Sequence, residues 1–403
     1  MGVYLKRMLL LLSLFCCSAP AWGAEIHGRS STQFMFFQNE LLERRQSELA
    51  EYLRIAITKI DKDGKFNIYG YGRANQDFNA GEGGALRLYY LYGDYRNLFD
   101  KIDFRVGRQF VNLAAGSAII DGAQVTLKNV GPVAFTVLGG RDVIFGETGE
   151  LGDAGNTALG LAANLAGFQK TDLELSWFRK YDKGDIARDQ LGANVKQYLF
   201  NNVKLYGNAR YDLVTETFGE VLAGAKFFPT ANLIFTGEWY QSYPTFDTTS
   251  IYSVFAVDRY QEALFKVDYT INDKISVNGG YTREFFDEGA VANVYHIGVG
   301  LRPIEALRLN IEYDNRQGYN GSLNGVMVDA GYDLYGKMEL TGGFTYDAYQ
   351  RDILTNQEIA RRYWLGAKYK LAKNMAVSGR IQNDVNVQYK ENVSGRLVFD
   401  YDF

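Results

Sequence analysis

The residues that could carry chemistry are few and badly placed for it. His27 and His296 are the only histidines, and Cys16 and Cys17 the only cysteines. Two histidines so far apart lack the further ligands that a zinc or haem site needs. In "VYHIGVG", His296 falls in phase with Gly298 and Arg302, so its expected role is a hydrogen-bonded histidine on the polar side of a strand. The stretches "AGEGGAL", "GETGELGDAGN" and "LGGR" are glycine-rich. None contains Gly-Lys-Ser/Thr or opens a helix with GxGxxG, so they read as turns and strand bends, not phosphate loops. Glu147, Glu150 and Asp153 lack the spacing of a calcium loop and read as a solvated tip. No catalytic, cofactor-binding or metal-binding residue is assigned, and no enzyme activity is expected.

The opening "MGVYLKRMLLLLSLFCCSAPAWGAE" has basic Lys6 and Arg7, an apolar run over 8–15 and the small-residue site Ala21-Trp22-Gly23. It reads as a secretory signal peptide over 1–23, leaving a single unit over 24–403. Both cysteines leave with it, which excludes disulfides, thiolate metal sites and CxxCH haem attachment in the mature chain. Setting aside Lys6 and Arg7 leaves 41 basic against 47 acidic residues with no basic block, so nucleic acid is not an expected partner. Mean hydropathy is −0.22. No later run of about 18 apolar residues occurs, which excludes a bundle of membrane-spanning helices. Aromatics still make up 15% of the chain, with 29 Tyr, 43 Gly and only 5 Pro. That composition fits a sheet wet on one face and greasy on the other.

The elements must then be strands. Short turn signals recur at 62–65, 96–101, 129–132, 168–172, 199–202, 229–232, 271–274, 302–306, 335–337 and 371–374. Each interval holds two alternating segments of about ten residues, the pattern of a hairpin. "FNIYGYGRA" sets Phe66 and Ile68 against Asn67, Tyr69, Tyr71 and Arg73; "LRLNIEYDNR" sets Leu307, Leu309 and Ile311 against Arg308, Asn310 and Glu312. Only 39–55, with Leu42, Leu49 and Leu53, fits a short helix, and it equally fits a loop leading into a strand. Ten short turns, with both chain ends on the same side, predict about 22 antiparallel strands (20 to 22) in an all-β, up-and-down transmembrane barrel. Closure is the only way a sheet spans lipid without unpaired edges. The long connections 141–157 and 244–258 could narrow the pore but are too short to seal it.

By phase the polar face should line the lumen. It carries Arg73, Arg87, Arg105, Lys204, Arg210, Lys226, Lys266 and His296. With them come Arg302, Arg308, Arg380 and Arg396, opposed by Glu238, Glu262, Glu284 and Glu312. The two signs nearly cancel, so a ring of one charge that would select anions or cations is not expected. A simpler role, solvating the lumen or pairing across strands, accounts for them equally well.

The ending "VSGRLVFDYDF" places Phe399, Tyr401 and Phe403 at alternate positions. It resembles the C-terminal signature of Gram-negative outer-membrane proteins, which the barrel assembly machinery reads. That resemblance implies an outer-membrane location, with lipid as the solvent of the outer face. "DFRVGRQFV" (103–111) followed by "IIDGAQVTL" (119–127) resembles the strand and loop at the constriction of porin-like barrels. More loosely, the chain looks like the barrel subunits of porin–cytochrome conduits. That likeness implies an insulating sheath around a periplasmic multihaem cytochrome, with no cofactor of its own. The alternative is a passive diffusion porin for small hydrophilic solutes or ions. Barrel lipases and proteases place Ser and His, or acids and His, in arrangements this sequence does not supply.

Overall fold

The computed structural model describes residues 23–39, 44–79, 84–146, 150–151, 155–243, 259–319, 321–351, 356–387 and 391–403. The expected signal peptide, apart from Gly23, and the connection 244–258 lie outside them. Alternating apolar and polar residues favour extended chain, and the extended segments pair edge to edge in chain order. Among the described residues, 22 strands form one antiparallel sheet. It closes where Glu25–Asn39 pairs with Asn392–Asp402, from Arg29 opposite Asp402 to Phe36 opposite Gly395. With strands about 4.8 Å apart and tilted about 40°, such a barrel is about 40 Å across between backbones.

All ten predicted short turns join consecutive strands at one end. At Phe99–Asp100, Gln169–Lys170, Phe200–Asn201 and Tyr335–Gly336 both central residues have positive φ. That mirror-image turn matches the right-handed twist of the strands it joins. The stretch 39–55 holds no helix in its described part. Arg44–Thr58 is a strand paired along its whole length with Glu25–Asn39, Leu49 opposite Phe34 and Leu53 opposite Ser30. The backbone bonds of the closing sheet outweigh a leucine spacing that is only weakly helical.

The outer face is apolar at alternate positions: Leu365, Ile297 and Leu397 are each more than half exposed. At the seam the last residue completes the ladder. Phe403 donates its N–H to the Gly28 carbonyl at 3.0 Å, and the Gly28 N–H donates back at 2.8 Å. The Phe403 ring lies 5.9 Å from that of Tyr401, tilted by 34°, and covers Gly28, where an added Cβ would lie 2.3 Å from Cζ. Gly28→Val is therefore expected to push the ring off and loosen the seam by about 1 to 3 kcal/mol, the usual cost of overpacking. A lower urea midpoint of the refolded barrel is the readout; an unchanged midpoint would show that the seam does not depend on this contact.

Candidate permeation pathway

Register fixes which side chains share the inner face. The concavity along the seam is lined by Arg29, Tyr52, Tyr71, Lys368, Arg380 and Arg396. Following the pairs from strand to strand puts Arg73, Arg105, Lys204, Arg210, Lys226, Glu238, Glu262, Lys266, Glu284, His296, Arg308 and Glu312 on that same face. Arg302 follows in phase at the short-turn end of Val291–Ile304.

Most of these charges find partners within the wall. Arg73 meets Glu48, Arg308 meets Glu339, and Arg316 meets Glu284 at 2.8 Å. Lys266 meets Asp268 at 2.8 Å, Arg105 meets Asp94 at 3.4 Å and Arg210 meets Glu220 at 3.6 Å. His296 bridges strands, with Nδ1 2.7 Å from Asp314 and Nε2 2.8 Å from Asn278. His27 lies elsewhere, exposed beside Glu25. Among the described residues no three His, Cys, Asp or Glu side chains group as metal ligands. Most of these ion pairs join different strands; Lys266 and Asp268 share one.

Tyrosines cover another sector. Tyr52 and Tyr71 stack at 6.3 Å, Tyr71 and Tyr89 at 5.0 Å, and Tyr90 and Tyr92 sit 5.6 Å apart. Arg105 lies 4.5 Å over the Tyr92 ring. Arg87 donates to the Gly146 carbonyl at 2.6 Å beside Phe145, which tethers the short hairpin Ile144–Phe145 and Glu150–Leu151 to the wall. This hairpin belongs to the connection 141–157, of which 141–146, 150–151 and 155–157 are described.

The element that narrows the lumen is one the loop lengths did not single out. The strand Ile102–Leu113 pairs with Ala85–Leu98 only as far as Arg108 opposite Leu91, and Gly116–Val130 pairs with Val133–Asp142 only from Ile120. Between these points 109–119 continues as a hairpin whose ladder is with itself, turning at Ala114–Ala115. It leaves the wall and folds inward. The Ala114 N–H donates to Glu174, the Ala115 N–H donates to Ser176 Oγ at 2.8 Å, and Arg210 Nε donates to the Ala114 carbonyl at 3.4 Å. All three acceptors and donors of the wall belong to the inner face.

One side of the hairpin then buries Val111, Leu113, Ala115, Ala118 and Ile120 against Leu138, Ala158, Ala162 and Phe178. Small wall residues make the approach possible. A Cβ at Gly192 would lie 2.1 Å from the Ala115 nitrogen, and one at Gly160 would lie 2.8 Å from Leu113 Cδ1. Glycine in a strand often marks such a close backbone approach. The other side of the hairpin shows Phe110, 57% exposed.

A four-charge cluster ties the root of this hairpin. Arg108 grips Asp121 with both arms at 2.7 and 2.8 Å and also contacts Glu150; Arg141 reaches Asp121 at 3.2 Å and Glu150 at 3.3 Å. The hydrogen bond from Arg108 holds the Glu150 carboxyl below its usual range. Glu150 thus belongs to a clamp and not to a free solvated tip. The sequence reading placed Glu174 on the polar face but assigned none of Ser176, Phe178 and Gly192 to this site; the one signal for the hairpin was the likeness of 103–111 and 119–127 to a porin constriction.

No protein-family model matches the sequence, and no curated protein matches it. Solved structures do. A mutant of the ferric enterobactin receptor PfeA from Pseudomonas aeruginosa superposes with a TM-score of 0.63 at 11% identity, over 94% of this chain and 81% of that one. A second PfeA mutant gives 0.60 at 12% identity with the same coverage. OpdK from Pseudomonas aeruginosa, solved with vanillate, gives 0.47 at 9% identity over 94% of this chain and 98% of that one. At these identities the PfeA likeness is one of fold: the chain has the fold of an outer-membrane β-barrel.

Proposed function

We propose that this barrel lies in the outer membrane and works as a porin-like channel, passing small hydrophilic solutes through a lumen that the hairpin 109–119 narrows from one side. The observation that carries this reading is the docked hairpin. A chain that commits buried apolar area, three polar contacts and a glycine seat to hold a hairpin against its own inner wall has an element suited to shaping a passage. The inner face is otherwise polar with charges of both signs, most of them paired, which suits water and weak ion preference.

The more specific reading, a sheath around a multihaem cytochrome, has one feature in its favour. The hairpin lies against one side of a barrel about 40 Å across between backbones, which leaves room for a guest. The two readings separate in a planar bilayer. As a channel, the purified barrel should conduct potassium chloride with little ion preference, and an added periplasmic multihaem cytochrome should change nothing. Loss of conductance on adding the cytochrome, together with haem-staining protein copurifying from native membranes, would favour the sheath. A barrel that conducts no ions would defeat the channel reading.

A further inference from the structure

The pairing of charges on the inner face breaks down at Lys204 opposite Lys226, where both cations lie over Tyr206, and at the closing seam. The recess at the closing seam, about 1230 Å³, is lined by Arg29, Arg54, Lys368, Arg380 and Arg396, with Tyr52, Tyr71 and Tyr90 along one flank. Register sets Arg29 directly opposite Arg54, and Arg380 directly opposite Arg396. Like charges directly opposite on one face of a sheet repel and destabilise the pair.

The acids that line or border the recess relieve this only in part. Asp402 is taken by both arms of Arg29 at 2.6 and 3.0 Å, Asp400 accepts from Ser31 Oγ at 2.7 Å, and Glu339 is held by Arg308. Among the described residues Arg54, Lys368 and Arg396 form no ion pair. Arg380 has a hydrogen bond to Gln382 at 2.9 Å and lies 5.2 Å over Trp364, neither of which neutralises it. Other cations on this face do meet an acid in a neighbouring strand, as Arg362 meets Asp384 at 2.6 Å. With Glu339 held by Arg308, Asp400 is the one lining carboxylate left to face Arg54, Lys368, Arg380 and Arg396, so the recess keeps a net positive charge that a counter-anion would offset.

We propose that this recess is an oxyanion subsite, in which the carboxylate or phosphate group of a permeating solute bridges Arg380 and Arg396. The inference rests on the channel reading and gives it a solute class. Guanidinium groups present planar forks that match carboxylate and phosphate oxygens, and an anion between two of them turns repulsion into two charge-assisted contacts. The site is local: it holds an anion briefly on one side of a wide lumen and leaves the bulk conductance weakly selective.

Single-channel currents recorded in potassium chloride, with sodium phosphate added in one arm and sodium benzoate in the other, test it. Brief current interruptions that grow with anion concentration are expected. The Arg380→Gln, Arg396→Gln double variant should bind about tenfold more weakly, the scale of losing charge-assisted hydrogen bonds. Arg362→Gln should leave the interruptions unchanged. Response to phosphate alone marks a phosphate-type solute and response to benzoate alone a carboxylate; either supports the subsite. No interruption, or interruptions equal in the double variant, overturns it. If the barrel conducts no ions, the channel reading falls, and calorimetric titration of the detergent-solubilised barrel with the same salts decides the subsite by itself: binding lost in the double variant supports it, and absence of binding overturns it.

Discussion

Phe178→Ala is expected to unseat the hairpin 109–119 while leaving the barrel closed. The Phe178 side chain is fully buried, packed among Leu113, Ala115 and Ile120 of the hairpin and Leu138 of the wall, and its ring lies where a Cβ on Gly116 would be, 2.6 Å from Cδ1. Truncating a buried phenylalanine costs about 3 to 5 kcal/mol, and here the loss falls on the docking of one hairpin, because the wall ladders on both sides of Phe178 are backbone bonds that the substitution leaves in place. Hydrogen exchange reads this directly. The Ala114 and Ala115 amides are satisfied by Glu174 and Ser176 only while the tip is docked, so they should exchange about a hundredfold faster in the variant. Leu175→Ala, on the same strand but facing outward, should leave those amides protected. Gly192→Val should reproduce the effect from the opposite side, since its side chain would occupy the space of the Ala115 backbone. Protection unchanged in both Phe178→Ala and Gly192→Val would mean the tip is held by something other than this seat.

The sequence made the barrel legible because lipid enforces a period of two. Every strand must show lipid one row of side chains and the lumen the other, so Leu307, Leu309 and Ile311 separate from Arg308, Asn310 and Glu312 without knowledge of any neighbour. Turn signals then fix the strand count. The hairpin dock obeys no such local rule. "VNLAAGSAII" reads as an ordinary strand, turn and strand, and what makes it leave the wall is a set of small residues, Ala158, Gly160, Ala162 and Gly192, on strands 40 to 80 positions further on. The charges posed the same difficulty. As a list they cancel, but which arginine meets an acid depends on register, and register puts Glu284 beside Arg316 yet Arg396 beside Arg380.

Ile311→Arg is expected to cost the barrel far more than Asn310→Arg, although the two residues are neighbours. Ile311 stands opposite Val299 on one side and Val328 on the other, so three apolar side chains form an outward row across three strands. Asn310 points the other way, opposite Gly300 and Asp329, where an arginine finds water and a carboxylate. A charged residue on the lipid face at the bilayer midplane costs about 2 to 4 kcal/mol, falling towards the headgroups, because the cation must drag water into hydrocarbon or snorkel out of it. Inside the lumen the same cation keeps its hydration, and Asp329 offers it a partner at no cost in burial. Urea unfolding of the barrel in lipid vesicles measures the difference. The contrast also depends on the solvent around the outer face. A sheet with the same alternation in water would lose little from an exposed arginine at either position. Equal stability of the two variants in vesicles would therefore argue that the Ile311 face does not meet lipid, and would remove the physical basis for placing this barrel in a membrane.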